Sequence, residues 1–133
     1  MSDLFSPTET QPQVEERLHQ LADTLSRIRF RFTDEDSLQR GIGEVLRKKG
    51  YLFRREESLS ARDRPDFLLD GGLAIEVKIG GSLPELLRQV ARYTEHEEVR
   101  GILVMGSPVW LTRIPATLGG KPLFHLRLIG SLL

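Results

Sequence analysis

The chain has 133 residues, no cysteine, 39% hydrophobic and 29% charged side chains, and a formal net charge of zero. That size and mixture describe one ordinary domain rather than a disordered or membrane chain. They exclude disulfides and thiolate metal sites, and they leave total charge silent about a nucleic-acid partner. No apolar run approaches the roughly 20 residues that cross a bilayer. The opening MSDLFSPTETQP has no basic stretch followed by an apolar one, so the expected setting is cytoplasmic.

In chain order, residues 1–12 are polar with two prolines and are expected to form a flexible segment ahead of a single domain over 13–133. Val14, Leu18, Leu21, Leu25 and Ile28 then recur at steps of four and three, the stripe of an amphipathic helix. Two heptads are short for a free coiled coil, so this helix should dock on its own domain, with a dimer seam as the second option. A second helix is expected from a Thr33 cap, with Asp36 three residues on, through Leu38, Ile42, Val45 and Leu46 to a Gly50 stop. YLFRREESL follows as a strand, then the hairpin RPDFLLDGGLAIEVK over residues 64–78. SLPELLRQVARYTEHEE has the serine cap, early proline and apolar period of a third helix. GILVMG is a short apolar run of the kind covered on both faces. VWLTRIP and KPLFHLRLIGSLL resemble two further strands around Gly119–Gly120. The order predicts an α/β sandwich with a mixed sheet.

Charge is segregated along this chain. Residues 1–36 hold eight acidic side chains against four basic ones, and residues 47–64 hold seven basic against three acidic. The basic stretch runs straight into the hairpin, although a charge run by itself is most often a solvated face. In the hairpin, alternation sends Leu73, Ile75, Val77 and Ile79 to one side as core, and Ala74, Glu76 and Lys78 to the other. The turn decides where Asp66 goes. With a three-residue Asp70-Gly71-Gly72 loop, built as a type I turn and a left-handed glycine, Leu69 pairs with Leu73 and Asp66 falls opposite Glu76. A two-residue loop would turn Asp66 to the other face. The longer loop is predicted.

Two carboxylates opposite one another repel, so their pairing makes sense with a cation between them. Lacking cysteine or clustered histidine, the site would take a hard ion, Mg²⁺ or Mn²⁺. Lys78 would then stand close enough to orient a water or offset charge on a phosphate. The alternative is a Glu–Lys pair on a solvated face beside an unrelated aspartate.

Pro65–Asp66, followed by Glu76-Val77-Lys78 after an apolar strand, resembles the PD-(D/E)XK nuclease superfamily, whose restriction-endonuclease-like core has the same αβββαβ order. Glu44, on the helix before the first strand, is similar to an additional metal-linked acid of that family. Gln89 and Tyr93 are similar to the Q-x-x-x-Y signature of its RecB-like branch, and residues four apart share a helical face. The resemblance spans residues 36 to about 105, leaving an extra N-terminal helix and C-terminal strands. It implies a Mg²⁺-dependent nuclease that hydrolyses phosphodiester bonds in DNA. Asp66, Glu76 and the Val77 carbonyl would hold the ion, Glu44 would complete its shell, and Lys78 would position the water. Arg54, Arg55, Arg62 and Arg64 are the candidates for phosphate contacts.

A core this small implies work as a homodimer or beside a helicase or other DNA-processing partner, with no membrane. Two rival readings are a structure-selective endonuclease such as a junction resolvase, and a non-catalytic nucleic-acid- or protein-binding module on the same fold. His19, His96 and His125 share no ligand spacing and are read as structural or surface residues. GIGEVL lacks the strand and Gly-Lys-Ser/Thr of a phosphate loop. Trp110, beside Val and Leu, is read as core.

Overall fold

The structure, a computed structural model, describes residues 9–129. Helix α1 (Gln11–Ser26) starts on a reciprocal cap: the Gln13 N–H donates to the Thr10 hydroxyl while the Thr10 N–H donates to Gln13 Oε1. The cap satisfies two amides that the first turn leaves without partners. The helix therefore begins inside the segment expected to be flexible, of which residues 1–8 lie outside the described residues. Val14, Leu18, Leu21 and Leu25 are buried as their spacing predicts, and Ile28 falls just beyond the helix.

Helix α2 (Glu35–Lys48) is capped one residue later than expected. The Ser37 N–H donates to Asp34 Oδ1 at 2.8 Å, so Asp34 rather than Thr33 is the cap. A carboxylate also complements the positive end of the helix dipole, which a hydroxyl does less well. At the other end Gly50, at φ 84°, follows the last turn as expected.

Six strands form one mixed sheet: β1 (Phe53–Arg55), β2 (Phe67–Leu69), β3 (Leu73–Lys78), β4 (Gly101–Gly106), β5 (Thr117–Leu118) and β6 (Lys121–Arg127), in the spatial order β1-β2-β3-β4-β6-β5. The β1–β2, β2–β3 and β5–β6 pairs are antiparallel, and β3–β4 and β4–β6 are parallel. The class is α/β. Helices α1 and α2 cover the face that carries Phe67, Leu69, Ile75, Val77, Leu103 and Met105. Helix α3 (Leu83–Thr94) covers the opposite face with Leu86, Val90 and Tyr93 against Leu68, Ala74, Ile102 and Val104. Strands buried on both sides lose simple polar alternation, which is why β4 reads as continuous apolar sequence.

Two of the expected strands differ in the structure. The strand foreseen over 51–59 contracts to three residues because Glu56 adopts φ 50° and turns the chain. VWLTRIP holds a 3-10 helix, Val109–Arg113, instead of a strand, and the short strand before the Gly-Gly turn is Thr117–Leu118. Leu111 and Ile114, three apart, both enter the α3-side core, which is the period of a 3-10 turn.

Helix α1 lies so close to β4 that a Cβ on Gly101 would stand 2.9 Å from both Leu18 Cδ1 and Val14 Cγ1. Leu18 is fully buried there. Leu18→Ala should destabilise the fold by about 3 kcal/mol, read as a lower urea midpoint at unchanged slope.

The hairpin has the predicted register. Phe67 pairs with Ile75 and Leu68 with Ala74, which continues to Leu69 opposite Leu73 and Asp66 opposite Glu76. The turn type differs from expectation. Both Gly71 and Gly72 sit at φ 91°, and the Gly72 N–H donates to the Leu69 carbonyl at 3.0 Å. A positive φ at the third turn residue is the type II pattern, and only glycine adopts it freely. Among the described residues no helix is long and apolar enough to cross a membrane.

Candidate active site

Strands β2 and β3 separate where Pro65 enters, because proline has no N–H to extend a ladder. Into this gap Asp66 turns its carboxylate, and the Val77 N–H donates to Asp66 Oδ2 at 2.7 Å. The Asp66 N–H points back to Glu76 Oε1 at 3.4 Å. Glu76 is 3% exposed, yet both of its oxygens are occupied. The Tyr93 hydroxyl donates to Oε1 at 3.0 Å and the Gln89 amide donates to Oε2 at 3.0 Å. Lys78 Nζ stands 3.7 Å from Glu76 Oε2. A carboxylate this deep needs such donors, since desolvation without them is far more costly.

The electrostatics follow from that burial. Glu76 is pushed up to about 8, first by desolvation and then by the charge of Asp66, against the pull of Lys78 and the Tyr93 hydrogen bond. Asp66 is raised to about 6 by desolvation, with the Val77 N–H and Lys78 opposing and Glu35 and Glu56 adding repulsion. Desolvation and Glu76 also push the Tyr93 phenol upward, so it stays protonated and donating. Burial and mutual repulsion thus favour the protonated forms of this pair more than water does, and a cation entering the gap would oppose both effects.

Of the residues singled out in the sequence, Asp66, Glu76, Lys78, Gln89 and Tyr93 converge here. Gln89 and Tyr93 do so as holders of Glu76, and they also bond each other at 2.9 Å. The Val77 N–H serves Asp66, while its side chain is core. Glu44 is not among them. It lies exposed on α2 with no ion pair or hydrogen bond to the cluster among the described residues. The acid of α2 that faces the cluster is Glu35, whose Oε2 accepts the Ile79 N–H at 3.3 Å. Glu44 stands nine residues farther along, roughly 13 Å at 1.5 Å per residue.

The four arginines divide. Arg62 and Arg64 are exposed on the loop leading to Asp66. Arg54 is exposed beside Glu57 and lines a hollow at the hairpin turn, the far end of β3 from Lys78. Arg55 instead lies between sheet and helix, with Nη2 donating to Gln39, its guanidinium over the Phe67 ring at 5.2 Å, and its buried Nε without a partner. Half-buried in that position, Arg55 contributes to packing.

Several residues that sequence reasoning missed support the site. Asp63, three residues before Asp66, accepts Arg92 Nε at 2.8 Å and lies 2.9 Å from His96 Nε2. Its carboxyl is held below the ordinary aspartate value by the His96 and Arg92 hydrogen bonds. The Tyr93 hydroxyl also lies 3.3 Å from the Arg64 carbonyl. Gln89, Arg92, Tyr93 and His96, at spacings of three, four and seven, thus form one stripe that clamps the chain entering the site. That period was the available signal. Glu56 holds a left-handed backbone, a conformation that costs a non-glycine residue about 1 kcal/mol or more, and its N–H donates to the Asp66 carbonyl at 3.1 Å.

Beside Lys78 an open groove of about 330 Å³ runs along the first turns of α3, with Arg88, Gln89 and Arg92 on its wall. The donor set suits a hydrated hard cation better than an all-protein cage. Asp66 Oδ1 accepts no hydrogen bond among the described residues, while no group of three or more acidic or histidine side chains there could hold a metal ion. Mg²⁺ commonly binds through one or two carboxylates and keeps several waters. No family model, curated protein or solved structure matches the chain.

Proposed function

We propose that the protein is a Mg²⁺- or Mn²⁺-dependent nuclease of the PD-(D/E)XK type, acting on DNA through a restriction-endonuclease-like core. The observation that carries this reading is the convergence of Asp66, Glu76 and Lys78 at the point where β2 and β3 part. An acid pair with raised pKa values beside an amine, next to an open groove, has no role in packing alone. Such perturbed groups cluster at functional sites.

A bound ion would supply Lewis acidity and positive charge at the scissile phosphate. Asp66 and Glu76 are the residues that would hold it. Gln89 and Tyr93 fix Glu76 in one rotamer, so its oxygens face the gap without further ordering. The Val77 N–H does the same for Asp66. Lys78 Nζ, held near Glu76, would orient the attacking water and face the phosphate with its positive charge. Glu35 and Glu56 add negative potential that draws a cation and repels a bare phosphate. Arg62, Arg64 and Arg88, all exposed, would offset that repulsion.

Purified protein incubated with linear, circular and branched DNA should cut in Mg²⁺ and not in EDTA. Asp66→Ala and Lys78→Ala should each lower the rate by on the order of 100-fold or more, with folds retained by circular dichroism. Undiminished cleavage in both variants would overturn the assignment. A requirement for free ends would mark an exonuclease of the RecB-like kind, and preference for branched DNA a structure-selective enzyme.

A further inference from the structure

A second basic surface lies at the same end of the sheet as Lys78. In the linker between α1 and α2, Ile28, Phe30 and Phe32 pack into the core while Arg27, Arg29 and Arg31 are exposed. Arg27 is the helical C-cap residue of α1, and beyond it Arg29 and Arg31 alternate with Phe30 and Phe32, a period of two that sets like-facing side chains of an extended chain ~6.6 Å apart. Arg27 and Arg29 join Arg127, the last residue of β6, around an open groove of about 570 Å³ that Phe30, Leu128 and Ile129 also line. Among the described residues no acidic side chain lines it.

These guanidinium groups are weakly committed. Arg27 pairs with Asp23 at 3.2 Å, but both side chains are largely exposed, and such pairs contribute under about 1 kcal/mol. Arg127 donates to the Ser107 carbonyl at 3.2 Å. Arg29 and Arg31 make no ion pair among the described residues. In a chain of zero net charge, this is a local concentration of positive charge, answered at Arg27 by the exposed Asp23.

Its position relative to the acid pair is fixed by the sheet. Lys78 pairs with Gly106, and Gly106 pairs with Arg127. The three residues therefore stand in a row across parallel strands, roughly 10 Å from first to last at ~4.8 Å per strand. The middle one has no side chain.

We propose that this groove is a second binding site for a nucleic-acid phosphodiester backbone, leading a strand from Lys78 over Gly106 to Arg127, Arg27 and Arg29. Guanidinium groups in a comb suit a chain of regularly spaced phosphates, each able to accept two parallel hydrogen bonds. The inference deepens the nuclease reading and rests on nucleic acid being the substrate, but its test reads binding rather than cleavage.

The test is fluorescence anisotropy with a labelled single-stranded oligonucleotide and its duplex, in EDTA, over a KCl series. Against wild type, the triple variant Arg27→Gln, Arg29→Gln, Arg127→Gln should bind roughly tenfold more weakly, with a salt slope shallower by about 2. The corresponding triple lysine variant should keep the slope. In Mg²⁺ the glutamine variant should show a raised KM at unchanged kcat. Equal affinity and slope in wild type and the glutamine variant would sink the proposal. So would tighter, arginine-dependent binding of polyglutamate, which would assign the groove to an acidic protein. Arginine-dependent DNA binding by a wild-type protein that never cleaves would uphold the groove and refute the nuclease reading alone.

Discussion

Glu76→Gln is expected to end metal-dependent cleavage and, at the same time, to raise the melting temperature of the chelated protein at pH 8. Burial and Asp66 push Glu76 up to about 8, and burial pushes Asp66 to about 6. An acid whose pKa is higher folded than unfolded binds more protons in the folded state, so stability falls as pH rises through the window between the two values. For this pair the window runs from the ordinary carboxylate range, near 4, to about 8. Below it the penalty is absent; above it the penalty is complete. Glutamine keeps the volume and an acceptor for the Tyr93 hydroxyl but has no charge to bury. The expected gain is about 2 kcal/mol or more at pH 8 to 9 and close to none at pH 4. Thermal melts in EDTA across that range test it, and a difference independent of pH would refute the buried-pair account. Manganese should reverse the order, stabilising wild type by mass action and leaving Glu76→Gln unchanged.

Gly106→Ala should disable the protein from the opposite side of the same strand. A Cβ there would stand 1.7 Å from the Lys78 carbonyl oxygen and 2.7 Å from its carbonyl carbon. The obstacle is backbone, so no side chain can rotate away, and β3 and β4 must part at the end that carries Lys78. Overpacking of this kind costs about 3 kcal/mol, and the variant should lose cleavage by more than roughly tenfold even where it is folded, since small displacements of a reacting group are costly. Gly80→Ala, with open space around its Cβ position, is the matched control. Urea denaturation and single-turnover cleavage distinguish the two, and a fully active Gly106→Ala protein would contradict the strand geometry.

The parts of the site that were legible in the sequence are those that local periodicity decides. The hairpin register had two outcomes, and a three-residue loop selects the one with Asp66 opposite Glu76. Gln89 and Tyr93 are four apart, so one helix rotation places both. The illegible parts depend on docking. Asp63 meets Arg92 and His96 across 29 and 33 residues, a contact set by how α3 lies on the sheet. Glu35 faces the cluster rather than Glu44 because the N-terminal end of α2 approaches Ile79, and no helical period reports which end comes near. The 3-10 helix was misread because its β-branched residues favour strands, whereas burial of Leu111 and Ile114 selected a tighter turn. In the linker, the alternation of arginine with Ile28, Phe30 and Phe32 was visible but meaningful only once β6 placed Arg127 beside it.

Both outer margins of the sheet are brief, three residues in β1 and two in β5, and the exposed Arg54 puts a charge on the first. Such edges offer a stranger's strand few free amides and carbonyls to anneal with. Strand addition is thereby disfavoured along β1, whereas β5 pairs only with Lys121 and Pro122 and leaves the rest of β6 without a strand neighbour on that side among the described residues.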